Sequence, residues 1–69
     1  MLKNRLKDIR MKEFLLNRRE FARIINVSER QYCRYERMEA HPTLEVAFQI
    51  ANILERKVDD IWSVESHVN

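Results

Sequence analysis

Eight of the eleven cations among residues 1–38 are arginines: Arg5, Arg10, Arg18, Arg19, Arg23, Arg30, Arg34 and Arg37. A guanidinium offers paired donors that match a phosphate or the edge of guanine, where lysine offers only a point charge. Those eleven cations stand against five acidic side chains, so this stretch carries a net charge of +6. Residues 39–69 hold two basic and six acidic side chains and carry −4. The division is hidden in a net charge of +2 for the whole chain. Asymmetry of this kind suits a nucleic-acid partner, and it also suits a plain solvated surface.

Other chemistries find less support. No set of residues builds a nucleophile and its base, so catalysis is not expected. His41, His67 and Cys33 share no metal-ligand spacing, and no metal or other cofactor is expected. Cys33 could act as a redox switch only with a lowered thiol pKa or a resolving partner, and neither is visible. A lone cysteine forms no internal disulfide, no apolar run approaches the roughly 20 residues that span a bilayer, and the charged start MLKNRLKDIR lacks the apolar stretch of a secretory signal. The expectation is a cytoplasmic protein without a membrane partner. With 69 residues, 45% apolar and 35% charged, residues 1–69 read as one small soluble domain.

The elements that would position the arginines are helical. Glycine is absent and Pro42 is the only proline, so turns between strands are lacking. Leu2, Leu6 and Ile9 fall at i, i+4 and i+7 and predict a first helix over about 3–13. Asn17 is a natural N-cap: Glu20, three residues on, can complete a capping box, and Leu16 with Phe21 forms a hydrophobic staple. The helix so begun runs over about 18–25, with Phe21, Ala22, Ile24 and Ile25 inward. Asn26 then tolerates a left-handed backbone. The same grammar recurs with Ser28 as cap, Gln31 closing a second box and Val27 with Tyr32 as staple, predicting a third helix over about 29–36 with Tyr32 and Tyr35 inward. Thr43 caps a fourth helix over about 43–54, polar only at Glu45, Gln49 and Asn52 and therefore expected to be covered on most of its circumference. A short fifth helix over about 59–64 would bury Ile61 and Trp62, and residues 66–69 should fray.

Five segments together carry a resemblance: LKDIR at 6–10, LNRREFA at 16–22, NVSERQYCRYE at 26–36, HPTLEVAFQIA at 41–51 and VDDIW at 58–62. In this register the chain resembles the Cro and phage-repressor (XRE-type) helix-turn-helix DNA-binding family over nearly its whole length. The resemblance implies an all-α, five-helix lambda-repressor-like domain whose third helix enters a major groove about 12 Å wide. Departures are also visible. The interval from Arg10 to Asn17 is one residue longer than is usual, which should remodel the first turn. Met38 stands where the family has glycine, Glu39 where a basic residue is frequent, Arg18 where glutamine is usual, and Tyr32 where a smaller aliphatic residue is found.

The resemblance further implies base contacts from Glu29, Arg30, Gln31 and Arg34: arginine to guanine, Gln31 to adenine and Glu29 to cytosine. Phosphates would fall to Asn17, Arg18 and Arg37 with the amino end of the second helix. Arg10 and Glu36 are expected to pair as a structural bridge, with a phosphate role for Arg10 second. Thr43 reads as a cap, and Trp62 as core or a subunit contact. What the resemblance implies is a transcriptional regulator, a repressor, binding double-stranded palindromic DNA as a homodimer with half-sites about 34 Å apart. Apolar surface on the fourth helix, or around Ile61, Trp62 and Val64, is the candidate dimer interface. The rival readings are an antitoxin-like or protein-interaction module that keeps the fold, and the DNA-binding fragment of a longer repressor.

Overall fold

The computed structural model describes residues 1–65; His67, and the fraying expected at residues 66–69, lie outside the described residues. Five helical segments surround one core, and a small β-ribbon closes the domain at its ends. Strand β1 is Leu2–Asn4 and strand β2 is Trp62–Val64, with helices α2 (Arg18–Ile24), α3 (Glu29–Glu36), α4 (Leu44–Ile53) and α5 (Val58–Ile61) between them. Helix α1 is composite: an α-helical turn, Leu6–Asp8, runs directly into a π-helix, Ile9–Phe14.

The ribbon corrects the sequence reading at both ends. A helix was expected from residue 3 and another to residue 64, but β1 and β2 pair antiparallel, with Leu2 opposite Val64, Lys3 opposite Ser63 and Asn4 opposite Trp62. Asn4 sets the boundary on one side: its Oδ1 accepts from the Leu6 amide at 3.0 Å, so the helix begins only at Leu6. On the other side Trp62 and Val64 are strand-favouring residues, and the Trp62 backbone is extended at φ −108° and ψ 140°. Trp62 is buried all the same, with Ile61.

The π-helix accounts for the surplus residue between Arg10 and Asn17. Bonds from i to i+5 take up one more residue than an α-turn, and the Leu15 amide accordingly donates to the Arg10 carbonyl. Leu15 then turns left-handed at φ 54°, and the Leu16 amide also reaches the Arg10 carbonyl at 3.4 Å. The next three helix ends show the ordinary form of this closure. Asn26, Met38 and Glu55 all have positive φ. After them Val27 donates to Ala22 at 3.0 Å, Glu39 to Arg34 at 2.9 Å and Arg56 to Ala51 at 2.9 Å, each satisfying a carbonyl that the helix end would leave free.

None of these four positions is glycine, and a left-handed residue with a Cβ costs about 1–2 kcal/mol. Leu15 is 80% exposed and packs against little. Leu15→Gly is therefore expected to stabilise the domain by about 0.5–1 kcal/mol after the entropy cost of the added glycine, visible as a higher urea midpoint at unchanged slope. An unchanged or lower midpoint would show that the left-handed turn is not strained.

The caps of α2 and α3 form as their sequences predict, with one exception. Asn17 Oδ1 accepts from the Glu20 amide at 2.8 Å, and Glu20 Oε1 accepts from the Asn17 amide at 3.3 Å, completing the capping box. Ser28 Oγ accepts from the Gln31 amide at 3.1 Å, but the Gln31 side chain does not return the bond, so the second box is only half made. Thr43 Oγ1 caps α4 through the Val46 amide at 3.2 Å. Between the helices, Phe21 stacks edge-on against Phe14 at 5.2 Å and against Tyr32 at 5.4 Å, joining α1, α2 and α3 through one aromatic row.

Two burial expectations change. Ile24 is exposed, because on a 100° repeat the inward face of α2 is already filled by Phe21, Ala22 and Ile25. Helix α4 buries only Ala47, Ile50 and Ala51, and the C-cap Leu54 beyond it, while Leu44 is 71% and Phe48 52% exposed. Among the described residues no further element lies against that side, so there α4 is one-sided rather than surrounded.

Candidate nucleic-acid interface

Helices α2 and α3 form the helix-turn-helix, joined by Ile25–Ser28 with Asn26 at its left-handed corner, φ 63°. Ala22, fully buried, keeps α2 small where it meets the core. Tyr32 and Tyr35 are buried on the inner face of α3. At 100° per residue the direction opposite to them is occupied by Arg30 and Arg34, and Arg37, the C-cap, continues the same stripe at i+7. All three are exposed, and among the described residues none of them forms a salt bridge. The unpaired cations thus project from the domain on one rod eight residues long, about 12 Å at 1.5 Å per residue.

The other residues expected at the interface are placed less uniformly. Glu29 is exposed at the start of α3, on one flank of the arginine stripe. Gln31 lies on the opposite flank and is half-buried, as is Cys33. Asn17 is exposed, with its carbonyl oxygen committed to the cap.

Arg10, Arg18 and Glu36 meet in one cluster that holds the two helices on α1. Arg10 donates through Nε to Glu36 Oε2 at 3.1 Å, through Nη2 to Oε1 at 3.3 Å and through Nη1 to the Leu16 carbonyl at 3.0 Å. All three of its nitrogens are engaged and the residue is 8% exposed, so Arg10 belongs to the scaffold. The structure adds a partner that the sequence did not reveal: Arg18 Nε donates to Glu36 Oε1 at 3.0 Å. Burial by itself would push the Glu36 carboxyl up, but the neighbouring Tyr32 hydroxyl and the two guanidinium groups outweigh it and hold the carboxyl below its ordinary value. Tyr32 Oη is buried and makes no hydrogen bond of good geometry, although it lies near enough to Glu36 and Arg10 to feel both charges. Burial first, then Glu36, raises its phenol above the usual range.

The C-terminal end of α3 is held from a second direction. Asn4 Nδ2 donates to the Tyr35 carbonyl at 2.9 Å and contacts Met38 Sδ at 3.5 Å, so β1 touches the end of the helix that carries the arginines. Asn4, read from the sequence as part of a helix over about 3–13, carried no signal for this contact.

A family model described as helix-turn-helix matches residues 6–61, which begin with α1 and end with α5. The chain belongs to the XRE-type helix-turn-helix family. No curated protein matches its sequence significantly. Membership makes it a DNA-binding transcription regulator with the lambda-repressor-like helical fold. The β-ribbon lies outside the matched residues 6–61, and so does Asn4, which fastens it to the end of α3.

Proposed function

We propose that the protein is a sequence-specific repressor that lays α3 in the major groove of a palindromic operator, one chain on each half-site. The observation that carries this reading is the stripe of unpaired, outward arginines, Arg30, Arg34 and Arg37, opposite the buried Tyr32 and Tyr35. In this arrangement Arg30 and Arg34 read guanine edges, with Glu29 and Gln31 at the flanks, and Arg37, Arg18 and Asn17 hold phosphates. Two chains would pair through the apolar surface left open on α4, where Leu44 and Phe48 stand one turn apart, with Val64 exposed on β2. Both lie in the acidic half of the chain.

The test is selection of binding sites from a random duplex pool at about 150 mM salt, which suppresses the non-specific phosphate contribution. Enrichment of a two-fold symmetric motif with half-sites about one helical turn apart is the expected result. A single half-site would overturn the dimer. No enrichment, at this or at lower salt, would overturn operator recognition in favour of a module that binds protein.

A further inference from the structure

We infer that Glu36 is a positioning residue for DNA binding: it holds Arg18 by Nε so that both terminal amino groups of that guanidinium face a single phosphate. The inference rests on the DNA-binding reading above and goes one step beyond it. Three observations support it. Glu36 has a side chain only 5% exposed, while that of Arg18 is 51% exposed, so the pair spans the boundary between core and solvent. Arg10 already neutralises Glu36 through two nitrogens, which leaves the positive charge of Arg18 uncompensated in the cluster. And the bond from Arg18 to Glu36 uses Nε alone; among the described residues Nη1 and Nη2 of Arg18 make no hydrogen bond.

A planar guanidinium fixed along its Nε side presents its terminal fork in a set direction. Phosphate is the anion that such a fork matches with two parallel bonds. Freezing the side chain before binding removes much of the rotamer entropy that a free arginine would lose on contact. Since Glu36 ends α3 and Arg18 begins α2, the same carboxylate also sets the distance between the phosphate clamp and the arginine stripe on the groove-facing helix. Lysine could not replace Arg18 here, because one ammonium cannot both stay on Glu36 and fork a phosphate.

The experiment compares wild type, Arg18→Ala and Arg18→Lys on a mixed-sequence DNA duplex, reading the dependence of affinity on salt. Side-chain Nε–H signals are followed by NMR in the free and bound protein. Expected are a slope of log K against log salt reduced by about 0.9 per chain in Arg18→Ala, an Arg18→Lys variant that binds as weakly as Arg18→Ala, and an Arg18 Nε–H signal that keeps its position when DNA is added. Wild-type affinity in Arg18→Lys would overturn the fork, and loss of the Nε–H signal on binding would overturn the role of Glu36. Salt-dependent binding that Arg18→Ala leaves unchanged would overturn this inference alone, whereas wild-type binding without salt dependence would overturn the DNA-binding reading with it.

Discussion

Arg30→Ala combined with Arg34→Ala is expected to abolish discrimination between the selected duplex and mixed-sequence DNA while leaving the domain folded. Each bidentate arginine contact to guanine is worth about 1–3 kcal/mol of discrimination, so the pair should cost at least about 30-fold in affinity at each half-site. Both side chains are exposed and unpaired, and surface changes of this kind alter stability by no more than about 0.5 kcal/mol. Phosphate contacts remain, so binding to mixed-sequence DNA should fall far less. The decisive readout is the ratio of the two affinities in a titration, with the melting temperature as control. A variant that still prefers the selected duplex would show that α3 is not the reading element.

Glu36→Ala is expected to have the opposite signature, with loss of the fold itself. Removing one member of a buried pair strands the other charge and costs about 3–5 kcal/mol. A domain of this size has only about 3–10 kcal/mol in total, so much of the population should be unfolded by circular dichroism. Arg10→Met together with Glu36→Leu should recover folding, because it removes both buried charges and fills their volume. If Glu36→Ala melts like wild type, the cluster of Arg10, Arg18 and Glu36 is ornamental. The same group gives the protein an acid limit. Its folded-state carboxyl titrates below the ordinary value of 4.5, so its stabilisation is complete above that value and is lost as pH falls through the lower, folded one. The Arg10→Met, Glu36→Leu protein should lack that part of the acid transition.

The parts of this molecule that could be read from its sequence are those whose causes are local. Asn17, Glu20 and Ser28 specify their helix starts within four residues, and α2 and α3 form where their caps place them. The inward pair Tyr32 and Tyr35 fixes by subtraction which side of α3 faces outward. The β-ribbon was illegible because its two strands are three residues each and lie at opposite ends of the chain, with no turn to announce the pairing. The exposure of Leu44 and Phe48 was missed for a related reason: periodicity tells which residues are apolar, not whether another element exists to cover them. The extra residue before Asn17 could be counted against the family spacing, but its accommodation as a π-helix, with the Arg10 carbonyl accepting from the Leu15 amide, is a matter of backbone bonding that the count does not reveal. The family resemblance marked Arg18 as a phosphate ligand and was silent on what would hold it, since the partner lies eighteen residues away on another helix.

The ribbon also gives the domain a mechanical character. Met1 and Glu65 bond to each other through backbone groups, the Glu65 amide reaching the Met1 carbonyl at 2.7 Å. The covalent chain is thereby drawn into a near-ring whose clasp is three residue pairs long. Within that clasp sits Asn4, whose side-chain amide donates to the carbonyl of Tyr35. Closing the ribbon and holding the last turn of the helix that carries the arginines are therefore tasks of the same three residue pairs.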